Sequence, residues 1–321
     1  MNPLRQLALP LIAGCLAAPI ITFAQGAGDY PAKSIELKVP YASGGGVANM
    51  ARAFAVEAGS ELGQQMVVTN KEGAGGVIGF SYLAKARPDG YVVAFSPASP
   101  MTNAPFINSN MPFRNDQVEP ICQIFENVFA IAVKPDSPIR SFEDLIARAK
   151  AKPGALSFGH AGAASVGHMS LGAIEKADNV KFNAIAYRGD NPALTDMLGG
   201  TLDFAALGVG TLSGQNARVL AVLSAKRHPA LPDVPSVGEF GVPAISQGLN
   251  GLYVPAGTPR PVVARLEEVC RKVAQSPSFA ERAKTLSQVP AYLSARDFQA
   301  RVASTYKVHE ALVPDLKLGK N

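Results

Sequence analysis

The chain has 321 residues, 47% of them hydrophobic and 17% charged, which is enough apolar material for two cores. Thirty basic against 25 acidic residues give a formal charge of +5. Lys and Arg are spread without dense blocks, so nucleic acid is excluded as an expected partner. A mild positive balance draws small anions toward a cleft, over a screening length of about 8–10 Å.

Arg5 precedes an apolar run from Leu7 to Ile21 that ends in Thr22-Phe23-Ala24 before Gln25. This is the pattern of a secretory signal peptide, so residues 1–24 are set apart from the fold and the mature protein is expected in the periplasm. The run contains Pro10 and Pro19 and is short of the about 20 apolar residues that a membrane span needs. Ile12-Ala13-Gly14-Cys15 has the form of a lipobox, and lipidation at Cys15 is the competing reading. The stretch from Leu16 to Ala24 stays apolar and favours ordinary cleavage near Ala24. Cys122 and Cys270 then remain in a compartment that permits disulfides. Sequence leaves open whether they meet; two separate small core residues is the favoured reading.

Ile35, Leu37 and Val39 alternate with Glu36 and Lys38, the two-residue period of a half-buried strand. After a loop from Pro40 to Gly46, the apolar face Val47, Ala51, Phe54, Ala58 and Leu62 predicts a helix ending at Gly63. The unit repeats as strand Met66 to Val68, loop Gly73 to Gly76 and helix Val77 to Lys85, and Pro88-Asp89-Gly90 turns into strand Tyr91 to Phe95. A second series follows: strand Phe129 to Val133, a helix opened by Ser141 with Asp144, strand Leu156 to Phe158, a helix to Lys176, strand Ala184 to Tyr187 and helix Pro192 to Leu198. Strands at Leu202 to Leu207 and Val219 to Ser224 lead to a proline-punctuated crossing from Pro229 to Pro243. Strand Leu252 to Val254 and three helices starting at Pro261, Ser278 and after Ser294 complete the chain. Strands alternating with helices predict an α/β protein. The expected division is one discontinuous lobe, residues 25–125 with 240–321, and a second lobe, residues 126–239.

Glycine-rich loops between strand and helix aim backbone N–H groups from a helix start, where the macrodipole is worth roughly half a positive charge. Three such loops occur, Tyr41 to Val47, Gly73 to Val77 and Gly162 to Gly167. None continues into Gly-Lys-Ser or Gly-Lys-Thr, which rules out a P-loop. Ser165 and His168, with Asp190 or Asp203, contain the residue types of a hydrolytic triad. Neighbours on one helix rarely reach proton-transfer geometry, however, and no Gly-x-Ser-x-Gly elbow is present. An enzyme is therefore not expected. His160, His168, His228 and His309 lack metal-ligand spacing, and neither a metal nor a cofactor is expected. Arg188, at the end of a strand, has the donors to pair a ligand carboxylate.

The order of Val39-Pro40-Tyr41 with Gly44-Gly45, Gly73-Ala74-Gly75-Gly76 with Ile78-Gly79, and Pro88-Asp89-Gly90-Tyr91 carries a family resemblance. So do Ser165 with His168, Tyr187-Arg188-Gly189 with Pro192-Ala193-Leu194, Leu231-Pro232-Asp233-Val234-Pro235 and Pro255-Ala256-Gly257-Thr258-Pro259. Across the mature chain the sequence resembles the periplasmic solute-binding proteins of tripartite tricarboxylate transporters, the Bug-type receptors. The resemblance implies a type II periplasmic-binding-protein fold, two α/β lobes with a ligand cleft between them. It implies a small carboxylate ligand held by Tyr41, Ser43, Gly44, Gly45, Gly46 and Ala48, by Gly73, Ala74, Gly75 and Gly76, and, from the other lobe, by Ala163, Ala164, Ser165, His168 and Arg188. The implied partners are membrane permease subunits of such a transporter, with a sensor kinase as the signalling alternative; a hydrolase using Ser165 is the remote one.

The sequence also departs from the family. The family's usual aspartate falls at Ala48, which puts ligands with an amino or polar group in doubt. The loop Gly162-Ala163-Ala164-Ser165 lacks a second glycine, Leu207 to Arg218 is short, and the tryptophan usual near Leu249 is missing from a chain with no Trp. Diverged specificity or reduced binding is the expected result.

Overall fold

Buried Ile35, Leu37 and Val39 make the first strand, β1 (Ile35–Val39), of a computed structural model that describes residues 30–243 and 248–313. The expected signal peptide and Cys15 lie outside the described residues. Ala48, Ala51, Phe54, Ala58 and Leu62 form the buried face of α1 (Gly46–Leu62), which stops where Gly63 turns left-handed at φ 67°. Then come β2 (Met66–Asn70), α2 (Val77–Ala84), β3 (Val92–Pro97), two single-turn helices α3 (Ser99–Thr102) and α4 (Ala104–Ile107), and the long strand β4 (Val118–Asn127). Only Val128 separates β4 from β5 (Phe129–Val133).

The chain continues through α5 (Phe142–Ala151), β6 (Ser157–His160), α6 (Val166–Asp178), β7 (Asn183–Ala186), α7 (Asp190–Leu198), β8 (Phe204–Gly208), α8 (Val209–Leu212) and β9 (Arg218–Val222). It returns through β10 (Gly248–Pro255), α9 (Arg260–Ala274), α10 (Pro277–Thr285), β11 (Val289–Leu293) and α11 (Ala295–Leu312). Ser141, Ser165, Ser276 and Ser294 each accept a backbone N–H at the start of α5, α6, α10 and α11. Such caps are worth about 1 kcal/mol each.

Two sheets result. The first has six strands in the order β11-β4-β10-β3-β1-β2, with β1 parallel to β2 and β3, and β10 antiparallel to β3 and β4. The second has five in the order β7-β6-β8-β5-β9, with β6 parallel to β7 and β8, and β5 antiparallel to β8 and β9. Each sheet has its own aromatic core, Phe54, Phe95, Phe125 and Phe279 under the first and Phe158, Phe182 and Phe204 under the second. The loops after β1, β3, β6 and β8 leave the carboxyl ends of parallel strands, where α/β sheets hold ligands.

Sequence periodicity missed β4, β11, α3 and α4, and read β10 as three residues instead of eight. Pro120, Glu119 and Gln123 break the apolar pattern of β4, yet the strand lies between two antiparallel neighbours that supply its pairing.

The favoured reading of two separate cysteines is corrected: Cys122 on β4 and Cys270 on α9 form a disulfide with Cα atoms 6.6 Å apart. Helix α9 packs on β4 and brings the two together, although 148 residues separate them in sequence. Native crosslinks of this kind are typically worth about 2–4 kcal/mol. Replacing both residues, Cys122→Ala with Cys270→Ala, is expected to lower unfolding free energy by about that amount. Urea melts of oxidised wild type and variant check this, and equal midpoints would contradict it.

Candidate functional site

The first hydrogen bond inside α1 runs from Asn49 N–H to Gly45 O, at 3.0 Å. The N–H groups of Val47 and Ala48 precede it and find no acceptor within the helix. Gly46 N–H donates across to Thr211 Oγ1, at 3.2 Å, on the second sheet's side. Opposite, α6 begins after Ser165, whose Oγ accepts His168 N–H at 3.4 Å. Gly45, Gly46, Val47 and Ala48 from one start and Ser165 and Val166 from the other line a single cavity of about 30 Å³. That volume holds about one water, so the two sheets stand nearly shut over it.

Tyr41, Ala42, Pro97, Ser99 and Asn127, the last residue of β4, extend the wall on the six-stranded side, and Phe129, Ala161 and Asp190 close the other. Tyr41 donates its hydroxyl proton to Gly75 O at 2.9 Å, so Ser99 Oγ, 3.2 Å away, is the donor in their contact. Burial raises the Tyr41 pKa, with the nearby Asp190 charge adding to the rise. Asp190 Oδ2 accepts Gly208 N–H at 2.9 Å and Thr211 Oγ1–H at 3.0 Å. Burial pushes the Asp190 carboxyl up in pKa, against those two hydrogen bonds. No Lys, Arg or His is among the lining residues. Backbone N–H groups and the two helix dipoles are therefore the positive elements of the wall.

The structure distributes the expected site residues between the cavity and a seam beside it. Tyr41, Gly45, Gly46, Ala48 and Ser165 line the cavity. Gly73, Ala74, Gly75 and Gly76 do not; Ala74–Gly76 is a 3₁₀ turn behind Tyr41, and Gly75, at φ 62°, presses on the Ala163 carbonyl so closely that a Cβ would overlap it. Ala163 and Ala164 belong to the same seam, with Ala164 O accepting Asn103 Nδ2–H at 2.8 Å. Ser43 O accepts from Asn191 Nδ2 at 3.2 Å, and Gly44 lies against the same amide. Arg188 contributes its carbonyl, which accepts Ala42 N–H at 3.3 Å, while its side chain is 79% exposed and 3.8 Å from Glu72. Sequence reasoning missed Ser99, Asn127 and Thr211, and weighed Asp190 only as a triad member.

The triad does not assemble. His168 Nδ1 accepts Ala164 N–H at 3.3 Å, and its ring stacks on His160 with centroids 4.3 Å apart. Asp203 accepts the N–H and hydroxyl of Ser157 instead, at 2.7 and 2.8 Å. Among the described residues no three His, Cys, Asp or Glu gather as metal ligands, and no helix is long and apolar enough to cross a membrane.

Burial, and then the neighbouring His168, lowers His160 from 6.5 to about 3, while a hydrogen bond to Gly162 O works the other way. Burial, and then the Lys181 charge, lowers His168 to about 4. Below about pH 6.5 the unfolded chain takes up protons that the folded chain refuses, so stability is lost as pH falls toward 4. His160→Gln is expected to reduce that slope by up to about 1.4 kcal/mol per pH unit. Chemical melts of wild type and variant between pH 7 and 4 measure it, and parallel slopes would contradict the assignment.

Comparisons with known proteins agree with this geometry. Residues 50–318 match the family described as the tripartite tricarboxylate transporter family receptor. The protein BugT of Bordetella pertussis (strain Tohama I) is 30% identical over 292 residues, 88% of this chain and 88% of its own. A solved structure of the periplasmic binding protein BugD is 30% identical, with TM-score 0.85 over 91% of this chain and all of that one. A second, R. palustris Rpa4515 with adipate, is 26% identical with TM-score 0.87, again over 91% of this chain and all of the other. The match over most of the chain and the two-sheet fold shared with a solved periplasmic binding protein agree, and the chain belongs to the tripartite tricarboxylate transporter receptors, a family of solute-binding proteins rather than enzymes.

Proposed function

We propose that this receptor captures a small carboxylate outside the cytoplasmic membrane and delivers it to the permease subunits of a tripartite tricarboxylate-type transporter. The observation that carries the reading is the convergence of two helix starts, α1 and α6, on one cavity whose lining has no cationic side chain. Free N–H groups and aligned dipoles satisfy a carboxylate there without an ion pair. The relative with adipate supports the ligand chemistry. The Cys122–Cys270 disulfide supports an oxidising compartment, as export by a cleavable signal peptide requires.

Residues 25–125 with 240–321 and residues 126–239 act as the two lobes. They open about Val128 and the return into β10, and close by bringing Gly75 onto Ala163. A ligand that binds only the folded protein stabilises it by about 2.7 kcal/mol at a hundredfold excess over Kd. A thermal-shift screen of mono-, di- and tricarboxylates is expected to raise the melting temperature with at least one of them; no shift across the panel contradicts the receptor reading. Gly75→Ala, which places a methyl on the Ala163 carbonyl, is expected to weaken such a carboxylate at least tenfold. It also shifts the small-angle scattering of the liganded protein toward a larger radius of gyration, whereas unchanged affinity and radius would remove Gly75 from the closure.

A further inference from the structure

Two hydrogen-bond acceptors in the cavity wall are left over. Asp190 Oδ1 and Asn127 Oδ1 are both buried and have no partner in the protein, and both residues line the cavity. Asn127 is only 3% exposed. They stand side by side against Gly208, where a Cβ would meet Asn127 Oδ1 at 2.9 Å and Asp190 Oδ2 at 3.1 Å. The other Asp190 oxygen is already committed to Gly208 N–H and Thr211 Oγ1–H, which fixes the carboxylate plane and leaves Oδ1 as its free acceptor. A buried polar atom without a partner costs about 1–3 kcal/mol, and more when charged. Two together, in the wall of a cleft, mark a place built for donors.

The charges narrow the choice further. Among the lining residues Asp190 is the one carboxylate, and none is a cation. A ligand carboxylate lying on the N–H groups of Val47 and Ala48 shares the cavity with it, and two anions in a buried site disfavour each other. A hydroxyl on the ligand would satisfy one acceptor and leave that repulsion. An ammonium has three donors and a positive charge, which serves both acceptors and separates the two carboxylates. On the α1 side the wall at Ala48 is apolar, so the acceptors come from Asp190 at the start of α7 and from Asn127 at the end of β4.

Building on the carboxylate-receptor reading, we propose that the ligand is an amino acid or other amine-bearing acid, with its ammonium received by Asp190 and Asn127 as the specificity-determining pair. Burial, which raises the carboxyl of Asp190, adds to the demand for such a partner.

The test is calorimetry and thermal shift of the full protein against matched acids that differ only by the amine: acetate and glycine, succinate and aspartate, glutarate and glutamate. At least one amine-bearing member is expected to bind tenfold or more tightly than its match. Asp190→Asn turns an N–H₂ toward the cavity and is expected to shrink that ratio below threefold, while Asn127→Asp widens it. If Asp190→Asn does not fold, the wild-type ratio and Asn127→Asp decide the matter. Amine-free acids binding as well as or better than their matches, or a ratio indifferent to both substitutions, overturns the inference and leaves the receptor standing. Binding of no member of any pair, alongside a blank carboxylate screen, removes both.

Discussion

The two halves of the molecule meet backbone against backbone. Gly75 lies on the Ala163 carbonyl, Gly189 at φ 148° on Ala42, and Gly210 on the Leu286 carbonyl, and at each contact a Cβ would be crowded by the other half. Side chains at these places would hold the sheets apart by their own length. Their absence lets the starts of α1 and α6 approach until a cavity of about 30 Å³ separates them. The small size of the cleft and the place of N–H groups in its wall follow from that closeness.

Closeness also sets the electrostatics. In a small cavity without a cationic side chain, the proposed carboxylate would be held by helix dipoles whose orientation is fixed within each half. Such a wall is general, since any carboxylate meets the same N–H groups. Discrimination has to come from side chains at the rim, and here the polar ones are Tyr41, Ser99, Asn127, Ser165 and Asp190. Tyr41 and Ser99 are occupied with one another and with Gly75, and Ser165 is spent on capping α6. The loss of an aspartate at the Ala48 position therefore need not mean loss of polar selectivity, because a carboxylate reaches the same cavity from α7.

Much of this architecture was legible in the sequence. The alternation in β1, the apolar stripe of α1 and the serine caps at Ser141 and Ser294 are local signals, decided within a few residues, and the structure places them as read. Strand β4 was not legible, because Pro120 and Gln123 interrupt its pattern and its stability comes from β10 and β11, far along the chain. The glycine loops were legible as loops, but not their division of labour: that Gly73 to Gly76 would seal the seam while Gly45 and Gly46 face the cavity depends on distances between elements. Thr211 meets Gly46 across 165 residues, and no local pattern announces such a pair. Asp190 stood directly after Tyr187-Arg188-Gly189, a signal that an acid follows a turn at a strand end. What it lacked was any indication that its carboxylate turns inward to Gly208.

The disulfide lies within one half of the molecule. Cys122 and Cys270 both belong to the six-stranded half, and the loop their bond closes contains the entire five-stranded one, from Phe129 to Val222. The crosslink therefore staples the early and late portions of one discontinuous unit without bridging the halves. Under the proposed hinge, the crosslink would brace the six-stranded half and leave the five-stranded half free to move against it.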